Sequence, residues 1–148
     1  MDGLVRQVVA YVDTDAGGIM YHGRYIDLAE RSRLQWVLDR GLSFHTVARE
    51  HDTLLVIHKL ASTYHAPARL ENVLFARTEL IKISSARGCW RTIISHAGKV
   101  LVTVTVDVVA ISAHRKELAR FPALLIDAFS RRPSGTLVSA PVCNVLHD

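Results

Sequence analysis

Within residues 11–25, YVDTDAGGIMYHGRY, two aspartates one residue apart precede a Gly-Gly pair, and Tyr-His-Gly leads into a run of helix formers. Paired acids and glycines first suggest a cation loop. Counted as an EF-hand, Asp13 and Asp15 take positions one and three, and Gly18 takes the glycine at six. Position five is then Gly17, which has no ligand atom, and position twelve is Arg24, where a bidentate glutamate is needed. The calcium reading fails. No HExxH or paired-cysteine spacing replaces it, so no metal is expected. The phosphate-loop patterns GxxxxGK[ST] and GxGxxG and the nucleophile pattern GxSxG are also absent.

What remains is an acid beside a helix start. The N-terminus of a helix presents unpaired backbone N–H groups and a partial positive charge, which can hold a developing oxyanion. Gly17 and Gly18 let the chain turn tightly and leave room for a substrate. A nearby carboxylate could then activate water or attack a carbonyl, which suits acyl transfer. The same aspartates would equally serve as Asx turns ahead of a helix. Spacing alone does not separate the two readings.

The elements that must position this loop are legible around it. Residues 4–12, LVRQVVAYV, read as one strand, with Tyr11 at its end where a tyrosine is often core. From Gly23 to Arg40 the residues are good helix formers without proline, and Tyr25, Leu28, Ala29, Ser32 and Trp36 fall at helical spacing. Gly41 stops this helix, and a helical turn is expected near Phe44–Glu50. Strands follow near Leu54–His65, Val73–Ser84, Gly88–His96 and Lys99–Ser112, with His96-Ala97-Gly98-Lys99 as a hairpin turn. In the last strand Val100, Val102, Val104, Val106 and Val108 are expected on one face, opposite Thr103, Thr105 and Asp107. Pro122 opens a short helix through about Phe129. One antiparallel sheet with one long helix across it accommodates these faces. The fold class is α+β.

Composition sets the outer bounds. The 148 residues are one domain's worth, 49% hydrophobic and 22% charged, with an aliphatic richness that goes with oligomers. A single domain is expected over residues 1–132, with a loose tail over 133–148. Cys89 and Cys143 form no disulfide or zinc framework, no apolar run reaches membrane-spanning length, and the N-terminus lacks signal-peptide features, so a cytoplasmic setting is expected. Residues 1–52 carry six Lys/Arg against eight Asp/Glu, and residues 59–132 carry twelve against five. A basic second half can attract a phosphate-bearing ligand or an acidic partner. Its charges are scattered and few aromatics accompany them, which argues against nucleic acid.

The run Tyr11-Val12-Asp13-Thr14-Asp15-Ala16-Gly17-Gly18, then Tyr21-His22, Tyr25 and Glu30-Arg31, closely resembles the YbgC-like acyl-CoA thioesterases. These belong to the hotdog-fold group that also contains 4-hydroxybenzoyl-CoA thioesterase. A second matching segment, Tyr64-His65-Ala66-Pro67-Ala68-Arg69-Leu70, follows in the expected order. The resemblance covers roughly residues 4–130. It implies a helix wrapped by an antiparallel sheet, with active sites at the interfaces of a homodimer or homotetramer. It departs from the family at Val12 and Asn72, where glutamate and aspartate are frequent.

By position, the resemblance places the catalytic carboxylate on Asp15 and the carbonyl-polarising backbone N–H on His22. It also implicates Tyr11, while Asp13 is expected to shape the loop. The oxyanion and loop backbone would be Gly18, Tyr21, His22 and Gly23. The substrate would be an acyl-CoA, with no separate cofactor. Arg87, then Lys82 and Arg115, would meet the CoA phosphates. The same branch is associated with the Tol–Pal system and with phospholipid-synthesis partners including acyl carrier protein. A weakly catalytic interaction protein is therefore the alternative, with Arg115–Arg132 as its basic segment. A hotdog dehydratase is disfavoured because its His-Phe-Pro is missing.

Overall fold

A computed structural model describes residues 2–131, and the tail expected from residue 133 lies outside the described residues. The chain forms β1 (Val5–Val8), α1 (His22–Leu38), α2 (Phe44–His51), β2 (Thr53–Tyr64), β3 (Val73–Ile83), β4 (Arg87–His96), β5 (Lys99–Ser112), β6 (Leu118–Ala119) and α3 (Ala123–Ser130). All pairings are antiparallel, in the order β1-β3-β4-β5-β2, with β6 extending the sheet beside β5. The long helix lies on this sheet, as the α+β hotdog arrangement requires.

The helix buries Tyr25, Leu28, Ala29, Ser32, Trp36 and Val37. Facing them are Leu74, Ala76, Ile94, Val102, Val104 and Val106, all essentially inaccessible. Ser32 is the polar exception on this stripe, and its hydroxyl is satisfied. It donates to the Gly3 carbonyl at 2.5 Å and meets the Thr78 hydroxyl at 2.8 Å, which in turn meets Thr92 at 2.7 Å. Thr78 and Thr92 are directly opposed across β3 and β4, so the chain of hydroxyls pins the helix to the sheet. At the far end, Trp36, Trp90 and Phe129 pack with ring centroids 5.3 to 5.8 Å apart and seat α3.

Two sequence expectations need correction. The first strand ends at Val8, and Tyr11 lies in a 3-10 turn over Tyr11–Asp13 with 81% of its surface exposed. The turn forms because Asp13 reaches back to the backbone N–H of Ala10, a local bond that competes with the β ladder. The second concerns β5. Val102 to Val108 alternate inward as expected, but Val100 is exposed and Leu101 is buried. Pairing slips between Ile94 and Ser95, so Leu101 is an extra residue on β5 and the facing reverses beyond it. The bulge has a use: the Leu101 carbonyl accepts the N–H groups of His65 and Ala66, at 2.7 and 3.2 Å.

A second corner is closed by Asp52, in a left-handed conformation with φ of 50°. Its carboxylate accepts from the Ser112 hydroxyl at 2.6 Å and from the His114 N–H at 2.8 Å, joining the start of β2 to the β5–β6 turn. The Ser112 bond first, and the His114 bond second, hold the carboxyl below its ordinary range. A depressed folded value stabilises the fold above the ordinary carboxylate range, and that contribution is lost as pH falls through the depressed value. Asp52→Asn, which tolerates the same backbone, is therefore expected to lower the Tm at neutral pH. The gap to wild type should close only below about pH 3.9. Thermal unfolding of both proteins across that range checks it.

Candidate active site

The loop from Asp13 to Met20 is a pinched hairpin. Thr14 and Met20 bridge, the Asp15 N–H donates to the Ile19 carbonyl at 2.9 Å, and the Gly18 N–H donates to the Asp15 carbonyl at 3.0 Å. Gly18 has φ of 78°, which only glycine takes without strain. The two aspartates part company here. Asp13 is buried and accepts from Ala10 N–H at 2.9 Å and from the Gln7 side chain at 3.4 Å, with Arg24 3.9 Å away. Its carbonyl also accepts the Tyr21 N–H at 2.8 Å, which fixes where α1 begins. Asp15 is exposed. One of its oxygens makes the Asx turn with Gly17 N–H at 2.8 Å, and the other takes no bond from the described residues.

The hairpin is tied to the 64–72 segment. Met20 N–H donates to the Ala68 carbonyl at 2.9 Å, Ile19 bridges Arg69, and Val9 exchanges backbone bonds with the Glu71–Asn72 turn. Tyr25, on the first turns of α1, accepts the Ala68 N–H at its hydroxyl, 2.9 Å away. The two sequence segments that carried the resemblance are thus one hydrogen-bonded unit. Between them lies an open cleft of about 420 Å³, lined by Asp15, Ile19, Met20, His22, Tyr25, Tyr64, His65, Ala66 and Pro67.

One wall of this cleft is the start of α1. Its N-cap residue, Tyr21, offers no side-chain acceptor. The amides of His22 and Gly23, the first two of the helix, have no intrahelical acceptor to reach. Tyr64 holds this turn from outside by donating its hydroxyl to the His22 carbonyl at 3.0 Å. Its ring also meets those of His22 and Tyr25 edge-on, at 6.5 and 5.7 Å. Burial, opposed by the Ala68 bond and reinforced by the charges of Tyr64 and Asp15, pushes the Tyr25 phenol above its ordinary value. The phenol stays protonated beside the acid. Among the described residues, no three His, Cys, Asp or Glu side chains gather to hold a metal ion.

Comparison with known proteins decides what this geometry belongs to. The pattern of the Thioesterase-like superfamily matches residues 9–129. The chain belongs to this superfamily. It is 29% identical over 121 residues to the acyl-CoA thioesterase YbgC of Haemophilus influenzae, covering 82% of this chain and 89% of that one. It is 39% identical over 80 residues to the acyl-CoA thioester hydrolase YbgC of Escherichia coli, covering 54% of this chain and 57% of the relative. A probable thioesterase from Bartonella henselae superposes with a TM-score of 0.75 at 27% identity, covering 80% of this chain and 98% of that one. The protein is a YbgC-like member among thioester hydrolases.

Within this thioesterase-like chain, Asp15, His22, Gly18, Tyr21 and Gly23 fall in one hairpin-and-helix-start unit. Tyr11 does not line the cleft. Arg87, Lys82 and Arg115 stand elsewhere. On β5, Val102 pairs with Tyr64 at the cleft while Val109 pairs with Arg87, a separation of roughly 23 Å along the strand. Arg87 lies 4.0 Å from Asp107 and is largely exposed, as are Lys82 and Arg115. Tyr25, Tyr64 and His65 line the cleft and were not singled out for a role. Their presence in both matching segments was the available signal. Because Asp13 is structural and Asp15 is not, Asp13→Ala should cost roughly 1–3 kcal/mol by orphaning the Ala10 N–H. Asp15→Asn should stay within about 0.5 kcal/mol of wild type. Denaturant unfolding of both variants distinguishes them.

Proposed function

We propose that the protein hydrolyses acyl-CoA thioesters in the Asp15 cleft, with Asp15 as the catalytic carboxylate. One observation carries the reading: an exposed carboxylate oxygen and the uncapped first turn of α1 line the same open cleft. The thioester carbonyl oxygen accepts from the first-turn amides, foremost that of His22. Asp15 then attacks the carbonyl carbon, or removes a proton from the water that does. Both routes put negative charge on the same carbonyl oxygen, where helix-start donors are worth most. The C–S bond breaks and CoA leaves as a thiolate. On the direct route water then hydrolyses the acyl anhydride on Asp15. On either route the water's proton reaches the thiolate, with the His22 imidazole at the cleft wall placed to relay it. No separate cofactor is required, and the substrate class belongs to the cytoplasm. Asp15→Asn is expected to keep the fold and reduce CoA release from acyl-CoA at least ~10²-fold. A thiol-detection assay with near-normal turnover would sink the assignment.

Arg87, Lys82 and Arg115, the cations expected to meet the leaving group's phosphates, stand at the other end of the sheet in one copy of the chain. Among the described residues, strand β2 is an unpaired edge of twelve residues carrying exposed Ile57 and Tyr64. Such an edge seeks a partner strand. Antiparallel pairing of two β2 edges about a two-fold axis brings the Thr53 end of one copy to the Tyr64 end of the other. The Arg87, Lys82 and Arg115 region of a second copy then approaches this cleft. The expected result is a homodimer by light scattering, with Arg87→Ala raising KM for CoA esters more than it lowers kcat. An unchanged KM would return Arg87 to the surface.

A further inference from the structure

His22, Ile26, Glu30, Arg33 and Val37 recur at helical spacing and form one flank of α1, beside its deeply buried stripe. The cleft already described sits at the N-terminal end of this flank. A second cavity, of about 210 Å³, opens further along it, with Glu30, Arg33 and Val37 on the helix and Phe44 and Trp90 behind them. Both cavities also touch β2, through Tyr64 in the first and Leu54, Leu55 and Ile57 in the second. Both lie along the seam where α1 faces β2. Arg33 lies eleven residues beyond His22, about 16 Å along the axis. Helical side chains lean toward the N-terminus, which brings the guanidinium back toward the first cleft.

Arg33 is the unusual member of the second cavity. Its Nη1 is buried and meets no hydrogen-bond acceptor among the described residues. Burial pulls its pKa down, and the charge of Glu30 only partly restores it. Glu30 is exposed and acts through space, without an ion pair to Arg33 within 4.0 Å among the described residues. An arginine does not shed its proton, so a desolvated guanidinium N–H in an apolar wall costs stability until an oxygen meets it. The surrounding side chains among the described residues supply none.

We propose that this seam is the acyl compartment and that Arg33 receives a carboxylate at the far end of the acyl group. The preferred substrates are then monothioesters of medium-length dicarboxylic acids. The apolar wall takes the methylene chain, and the guanidinium fork takes both distal oxygens. This rests on the thioesterase reading for its chemistry, but not for its binding.

The test compares kcat/KM for decanoyl-CoA and its ω-carboxy analogue, in wild type, Arg33→Gln and Arg33→Lys. Wild type should favour the ω-carboxy ester roughly ten-fold or more, a preference that Arg33→Gln abolishes and Arg33→Lys only partly keeps. No preference in wild type overturns the proposal. So does an Arg33→Gln protein that loses both activities equally, because Arg33 would then be serving the fold or a second copy. Calorimetry with the free diacid and with decanoate needs no turnover. Tighter diacid binding that depends on Arg33 upholds the site even if no thioester is hydrolysed, and equal binding overturns it. If Arg33→Gln does not fold, the wild-type and Arg33→Lys ratios decide.

Discussion

A helix that begins without a side-chain cap leaves backbone donors facing outward, and the rest of this structure is organised around keeping that start in place. Tyr21 brings no acceptor, so the amides of His22 and Gly23 stay available. Three independent ties fix their position. The Asp13 carbonyl takes the Tyr21 N–H, the Tyr64 hydroxyl holds the His22 carbonyl, and Tyr25 is pinned through the Ala68 N–H. Behind them, the Ser32–Thr78–Thr92 hydroxyl chain and the Trp36–Trp90–Phe129 cluster prevent the helix from sliding or turning. Preorganisation of this kind is what an oxyanion site requires, since donors already aimed need no reorganisation during reaction.

The same constraint explains why two adjacent acids differ so much. The paired aspartates look equivalent in sequence, yet one is consumed in building the loop and the other is left with an open oxygen. Asp13 satisfies the Ala10 amide at the end of a strand that would otherwise fray, and Asp15 stands beyond it on the hairpin. Charge is distributed along the sheet in the same way. The acid sits at one end and Arg87, Lys82 and Arg115 at the other, an arrangement that a single copy does not bring together and that an antiparallel pair of β2 edges would.

Much of this was legible before any coordinates. The long helix, its Gly41 stop, the four long strands and the 96–99 hairpin follow from periodicity and turn chemistry, most clearly where α1, β3, β4 and β5 are each buried on one side. What was not legible depended on local competition. The 3-10 turn that exposes Tyr11 arises from one side-chain bond from Asp13, and the Leu101 bulge from a one-residue slip that residue types do not encode. At the site, the tight loop and the helix start were readable from Asp15, the glycines and His22. Tyr25, Tyr64 and His65 stand in the two matching segments, but their convergence shows only in the three-dimensional pairing of residues about 45 positions apart. The Arg33 cavity left no trace in spacing, since a guanidinium on a helix flank reads as a solvated charge until its buried nitrogen is seen.

The proposed hold of the first α1 amides on the thioester carbonyl, opposite Asp15, is the step on which the chemistry rests. It is tested most directly by backbone amide NMR with a non-hydrolysable acyl-CoA ketone, in which a methylene replaces the thioester sulfur. On this account the amide resonances of His22 and Gly23 move downfield on binding, as they gain a carbonyl acceptor. Saturable binding that leaves both resonances where they were would contradict it.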